Sequence, residues 1–272
     1  MNKDMYDERL AQRAALNLKV LREKKPLVHN ITNFVVMNYT ANILLAVGAS
    51  PVMAHAHEEV EEMVSFAGAL VLNIGTLTPY WIDSMLKAGK KANELKIPVI
   101  LDPVGSGATT LRTESAKRLM NELSITVVRG NASEVLSLAG EGAKTKGVDS
   151  LNSVDEAAAA ASTLAKELGS TLAITGETDL VTDGKSVYRI SNGHELMGWV
   201  TGTGCAATAV IGAFLAVDND PVTATVSALA CFGLAGEKGA EKADAPGSFM
   251  TASHDALYKI TSEHLLEGAK IY

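Results

Sequence analysis

The chain has 272 residues, with 24 Lys or Arg against 31 Asp or Glu, and a net charge of −7. That length favours one large domain or two small ones; with no linker in the chain, residues 1–272 read as one α/β domain, and 47% hydrophobic with 20% charged residues argues against a disordered chain. The acidic balance excludes a general nucleic-acid binder, because such proteins concentrate Lys and Arg on one face. The only cysteines, Cys205 and Cys231, form no disulfide or metal framework, so a reducing, cytoplasmic location is expected. The charged start, Met1 to Arg13, lacks the apolar core of a signal peptide. The longest apolar run, Ala206 to Val217, is about 12 residues, short of the roughly 18 of a membrane span.

In chain order, Leu10, Ala14, Leu18 and Leu21 stand at helical spacing within Asp4–Glu23. Leu27–Ile31 is a short apolar strand, and Phe34–Leu45 reads as a helix ending at Gly48. A brief strand at Pro51–Ala54 precedes a helix at Glu58–Phe66. Ala69–Ile74 and Pro98–Leu101 are buried strands on either side of a Pro79–Lys96 helix. Ile125–Val128 is the next strand. Ser153 and Glu156 form a capping box ahead of an Ala157–Leu168 helix. Thr171–Thr175 is a strand, and Asp183-Gly184 between Leu180–Thr182 and Ser186–Ile190 signals a hairpin. Beyond Gly204 the chain reads as three helices, about 205–217, 221–240 and 248–267.

Several of these strands are apolar throughout, the pattern of a parallel sheet covered on both faces. The alternation predicts a doubly wound α/β architecture, in which ligands sit at the carboxyl ends of the strands. Polar and glycine-rich clusters follow the strands: His29–Asn33, Asn73–Thr76, Asp102–Gly107, Arg129–Asn131 and Thr175–Glu177. All would then lie along one edge of the sheet.

The sharpest cluster is Val200-Thr201-Gly202-Thr203-Gly204-Cys205 ahead of a small-residue helix. Glycines and a helix start together cradle an anion and stabilise charge on a transferring phosphoryl group. Cys205 sits where the helix field lowers a thiol pKa; the alternative is a buried core cysteine. No Lys follows the glycines, which excludes a Walker loop, and the third glycine of a dinucleotide fingerprint is missing.

Asn131 and Glu134 share a face of a first helical turn. They either help hold Mg²⁺ beside Arg129 or simply cap the helix. Asp102-Pro103 places a carboxylate directly after a strand, as a Mg²⁺ organiser or as a turn residue. His55 and His57 have nothing nearby to complete a metal site, and Cys231 lies within an apolar helix.

Six segments in order resemble the hydroxyethylthiazole kinase family of the ribokinase-like superfamily. They are Pro26–Asn33, Gly48–Met53, Asp102–Thr109, Arg129–Glu134, Ile174–Gly176 and Val200–Cys205. The resemblance implies a three-layer α/β/α fold with a mostly parallel sheet. It also implies ATP- and Mg²⁺-dependent phosphorylation of 4-methyl-5-(2-hydroxyethyl)thiazole, in thiamine salvage. On the matching positions it makes Cys205 the catalytic residue. Met53, Gly202 and Asn33 would meet the thiazole, Arg129, Thr175, Thr203 and Gly204 the ATP, and Asp102 and Glu134 the metal. It further implies a homotrimer with sites between subunits. Cys205 stands where the wider superfamily usually has Asp, which sets the chain apart from sugar kinases and from the dehydratases of the same fold. A thiol near its ordinary pKa of about 8.5 is mostly protonated at neutral pH, so Cys205 is expected to orient the hydroxyl or to take its proton late.

Overall fold

The apolar strands assemble side by side in the computed structural model, which describes residues 6–139 and 154–272. Eight strands form one sheet: β1 (Leu27–Ile31), β2 (Ser50–Val52), β3 (Ala69–Asn73), β4 (Val99–Asp102), β5 (Val127–Gly130), β6 (Thr171–Ile174), β7 (Asp179–Thr182) and β8 (Val187–Ile190). Their order is β2-β1-β3-β4-β5-β6-β7-β8. Pairing is parallel from β2 to β6, and the Asp183-Gly184 turn makes β7 and β8 antiparallel. The chain winds outward in opposite directions from β1 and β3, so the gap between them is the topological switch point.

Successive side chains on a strand point to opposite faces. Val28, Val71, Ile100, Val127 and Ala173 therefore pack on one helical layer, while Leu70, Leu72, Leu101, Val128 and Leu172 pack on the other. The first layer holds α1 (Glu8–Lys24), α2 (Met37–Val47), α8 (Thr203–Leu215), α9 (Pro221–Ala240), α10 (Pro246–Lys259) and α11 (Ser262–Gly268). The second holds α3 (Val60–Ser65), α4 (Pro79–Glu94), α5 (Thr110–Glu122), α6 (Ala132–Leu136) and α7 (Val154–Leu168). This is the expected three-layer α/β/α architecture. Helix α8 crosses the middle of the sheet, and Ala206 through Leu215 are all buried. A Cβ on Gly212 would lie 3.0 Å from Val71 Cγ2, so this glycine sets how closely α8 meets the strands.

Three details depart from the sequence reading. Helix α5 was not foreseen, because it buries only Ser115, Ala116 and Leu119 and carries no apolar stripe. The helix expected over 248–267 is two helices. Ile260 turns extended (ψ 138°) and Thr261 opens α11 with a capping box to His264. A short 3-10 helix, Glu195–Trp199, leads into the glycine cluster. Ser153 of the expected capping box lies outside the described residues, as does the side chain of Glu156. Among the described residues, no helix is long and apolar enough to cross a membrane.

Candidate active site

The carboxyl ends of β1, β3, β4 and β5 meet the start of α8, and a continuous polar network joins them. Asn33, after β1, donates from Nδ2 to Asn73 Oδ1 at 2.8 Å and lies 3.5 Å from Cys205 Sγ. Asn73, the last residue of β3, donates from Nδ2 to Asp102 Oδ2 at 2.8 Å. Thr208, one turn into α8, donates to the same oxygen at 2.8 Å. Arg129 Nη1 stands 3.8 Å from it, and Nη2 donates to the Thr175 hydroxyl. The network exists because β1, β3, β4 and β5 end in register: Asn73 lies opposite Asp102 in the parallel pairing.

Asp102 is fully buried, and its second oxygen, Oδ1, has no hydrogen-bond partner. Burial raises its pKa to about 6 and the negative charge of Glu134 adds to this, while Arg129, Thr208 and Asn73 oppose it. At neutral pH it is therefore mostly ionised, with one oxygen free to take a cation or a proton. Asp179, at the start of β7, is likewise pushed up to about 6 by burial, against the Gly176 amide and Arg129.

Glycine is required at two positions of the α8 start. Gly202 has φ +91°, and a Cβ there would fall 2.5 Å from Val36 Cγ1. A Cβ on Gly204 would fall 2.6 Å from Arg129 Nη1, so its absence lets the guanidinium reach the helix start. The Thr203 amide and hydroxyl both turn back to Val200 O. By helix geometry the amides of Gly204 and Cys205 are directed out of the first turn, where negative charge is favoured. The anion-cradle reading of this cluster thus has the geometry it needs.

Cys205 is protonated at neutral pH as expected, but its pKa is not lowered by the helix start. Burial raises the thiol to about 11 and the charge of Asp102 adds to this, outweighing Asn73, Asn33 and Arg129. The lowering expected from the helix start does not prevail, so Cys205 is a neutral thiol at physiological pH. Both cysteines are free, and Cys231 is buried in the core as expected.

Asn131 and Glu134 do form a capping box at α6. Glu134 also accepts from the Gly105 amide at 2.8 Å, tying the loop after β4 to the loop after β5. Both of its oxygens already hold backbone amides, so Glu134 borders the Asp102–Arg129 region as a structural group with little spare capacity. Met53 is half-buried just past β2. That edge strand is separated from β4 by β1 and β3, about 14 Å across the sheet. Met53 therefore sits apart from the metal-side residues, on the side where Asn33 lies. The sequence reading passed over Asn73 and Thr208 as site residues. Asn73 stood in a cluster already marked as polar, but only the strand register reveals that it bridges Asn33 to Asp102.

Resemblances in sequence and in fold bear on this geometry. Residues 18–263 match the family model described as the hydroxyethylthiazole kinase family. The chain is 63% identical over 258 residues to a hydroxyethylthiazole kinase of Desulfotalea psychrophila, covering 95% of this chain and 94% of that one. A solved hydroxyethylthiazole kinase structure from Pyrococcus horikoshii OT3 superimposes with a TM-score of 0.88 at 48% identity, over 95% of this chain and 98% of that one. A ribokinase-like superfamily protein of Enterococcus faecalis V583 shares the fold alone. Its TM-score is 0.64 at 13% identity, over 94% of this chain and 95% of that one.

Proposed function

The chain belongs to the hydroxyethylthiazole kinase family, and from that premise we propose that it transfers the γ-phosphoryl group of ATP to the hydroxyl of 4-methyl-5-(2-hydroxyethyl)thiazole. Residues 1–272 act as one kinase domain in the cytoplasm, in thiamine salvage. The observation that carries this reading is the convergence of Asp102, Arg129 and the glycine-rich start of α8 on one point of the sheet edge. That is the equipment phosphoryl transfer asks for: positioned charge around a transferring group, with little covalent chemistry.

Arg129, Thr175 and Gly204 hold the ATP phosphates, and Thr203, whose amide and hydroxyl are turned to Val200 O, shapes the helix start beside them. The guanidinium supplies positive charge, and the first-turn amides of α8 receive the γ-phosphoryl oxygens as charge spreads over them. Mg²⁺ fits this site, because Asp102 presents a buried carboxylate oxygen that no protein donor satisfies. Asp102 would be the residue to hold it, and Glu134, with both oxygens on amides, would border the ion rather than bind it. When bound, the ion neutralises phosphate charge.

Gly202, Asn33 and Met53 line the thiazole side. The substrate hydroxyl lies beside Cys205. A neutral thiol with a pKa near 11 is not a base in the ground state, so Cys205 orients the hydroxyl, and the proton leaves late in the transfer. Subunits assemble as a homotrimer, with Met53, just past edge strand β2, and the exposed Phe34 and Val35 facing a neighbour's site.

An ADP-release assay tests the reading. Turnover is expected only with ATP, Mg²⁺ and the thiazole alcohol together. ADP release that ignores the alcohol, or requires a sugar or a pyridoxine-type alcohol instead, would overturn it.

A further inference from the structure

Helix α5 contributes one residue to the site region that no sequence signal marks. Arg112 reaches from its first turn into the space between the loop after β3 and the loop after β4. Its Nη1 donates to Val104 O at 2.7 Å and to Ile74 O at 3.2 Å, and its Nη2 donates to Gly75 O at 2.8 Å. Two neighbouring loops are thereby held by one planar fork.

Room for that fork is built into the backbone. Gly105 has φ +73°, and a Cβ there would fall 2.9 Å from Arg112 Cδ. The peptide that Arg112 holds is also held from the other side. The Gly75 amide donates to Asn73 Oδ1 at 3.0 Å, and a Cβ on Gly75 would fall 2.6 Å from Asn33 Nδ2. A chain of contacts therefore runs from Arg112 through the Gly75 peptide to Asn73. From Asn73 it continues to Asp102 Oδ2 and to the Asn33–Cys205 pair.

We propose that Arg112 is a positioning residue for phosphoryl transfer: it locks the Ile74–Gly75 and Val104–Gly105 peptides so that Asn73 holds Asp102 and Cys205 in their working geometry. It touches no reacting atom. Because transfer depends on placement, a displacement of about 1 Å at a remote support costs up to roughly a hundredfold in rate. Lys supplies a point charge without the fork, so it replaces only part of the function. The proposal rests on the kinase reading for its rate effect, but its effect on Cys205 is independent of the substrate.

The experiment compares wild type, Arg112→Met and Arg112→Lys in two assays. The first is steady-state ADP release with the thiazole alcohol. The second is labelling of the native protein by a chromogenic thiol reagent, which reads Cys205 alone while the buried Cys231 stays protected. Arg112→Met is expected to lower kcat by roughly ten- to a hundredfold, with KM for the alcohol changed by less than about threefold. It should label one thiol several-fold faster than wild type, and Arg112→Lys should fall between the two. Unchanged kcat and labelling would overturn the proposal. So would a loss of activity that tracks exposure of both thiols together, because that marks general unfolding. If wild type does not turn over the thiazole alcohol yet Arg112→Met still labels one thiol faster, the substrate reading fails while the positioning of the loops stands. If wild type is active and labelling does not change, the positioning claim fails alone.

Discussion

The two ends of α8 each meet a buried aspartate that lies beside an arginine, and the two carboxylates have opposite electrostatics. Asp218, just beyond the carboxyl end, accepts from Arg13 Nη2 and the Asp220 amide on one oxygen. Its other oxygen accepts from Arg13 Nε, Asn17 Nδ2 and the Thr223 hydroxyl. Those bonds outweigh burial and hold its pKa down at about 2. Asp102, at the amino end, has two donors on one oxygen and none on the other, with Arg129 at 3.8 Å, and burial lifts it to about 6. Asp218 is saturated with partners, whereas Asp102 keeps capacity in reserve, and the fold carries the cost of burying it.

The largest expected effect comes from removing that reserve. Asp102→Asn should lower kcat by roughly a thousandfold, while thermal stability holds or rises because an incompletely compensated buried charge is gone. Thermal melts and ADP release check both halves. At the other end, Asp218→Asn should cost about 2 kcal/mol in urea unfolding, from a folded pKa near 2 against about 3.9 unfolded. Its kcat per folded molecule should stay within about twofold, since it lies beyond the opposite end of α8 from the Asp102–Arg129 network.

The pH dependence separates the pair by sign. Asp218 has a depressed folded pKa. Its stabilisation is present above about pH 4 and is lost as pH falls through about 2. Asp102 has a raised folded pKa, so the folded state holds the proton more tightly between about pH 4 and 6. Its contribution to stability therefore declines as pH rises through that window. Stability measured against pH should show Asp102→Asn gaining on wild type from pH 4 to 6. The deficit of Asp218→Asn should shrink below pH 4.

Among the variants of the Asp102 network, the smaller effect belongs to Cys205→Ser. A hydroxyl can orient the substrate alcohol much as a neutral thiol does. About a tenfold loss in kcat with clear residual turnover is expected. Complete inactivity in a folded, ATP-binding variant would contradict the orienting role.

How much of this the sequence disclosed follows from which forces are local. Apolar runs such as Ala69–Asn73 and Val99–Asp102 announce strands, because burial on both faces leaves a pattern within a few residues. The Gly202–Cys205 start of α8, Asp102 and Arg129 were legible because glycine turns, charges and strand ends are local signals. Asn73 and Thr208 act through partners 29 and 106 residues away, and no window of sequence contains both members of either pair. Helix α5 was invisible for lack of an apolar stripe, and with it Arg112. Asn131 and Glu134 satisfy the capping reading in full, yet Glu134 also reaches Gly105, a contact that spacing alone does not distinguish from metal binding. That Cys205 is protonated at neutral pH was legible, but the upward shift of its thiol was not, because burial and a neighbouring carboxylate depend on the whole fold while the field of a helix start is local.

The most direct test of the contrast is kcat for Asp102→Asn and Asp218→Asn in one ADP-release assay with the thiazole alcohol, each corrected for folded fraction. The account predicts that Asp218→Asn exceeds Asp102→Asn by roughly a thousandfold, although Asp218→Asn is the less stable of the two. Similar turnover in the two variants would contradict it.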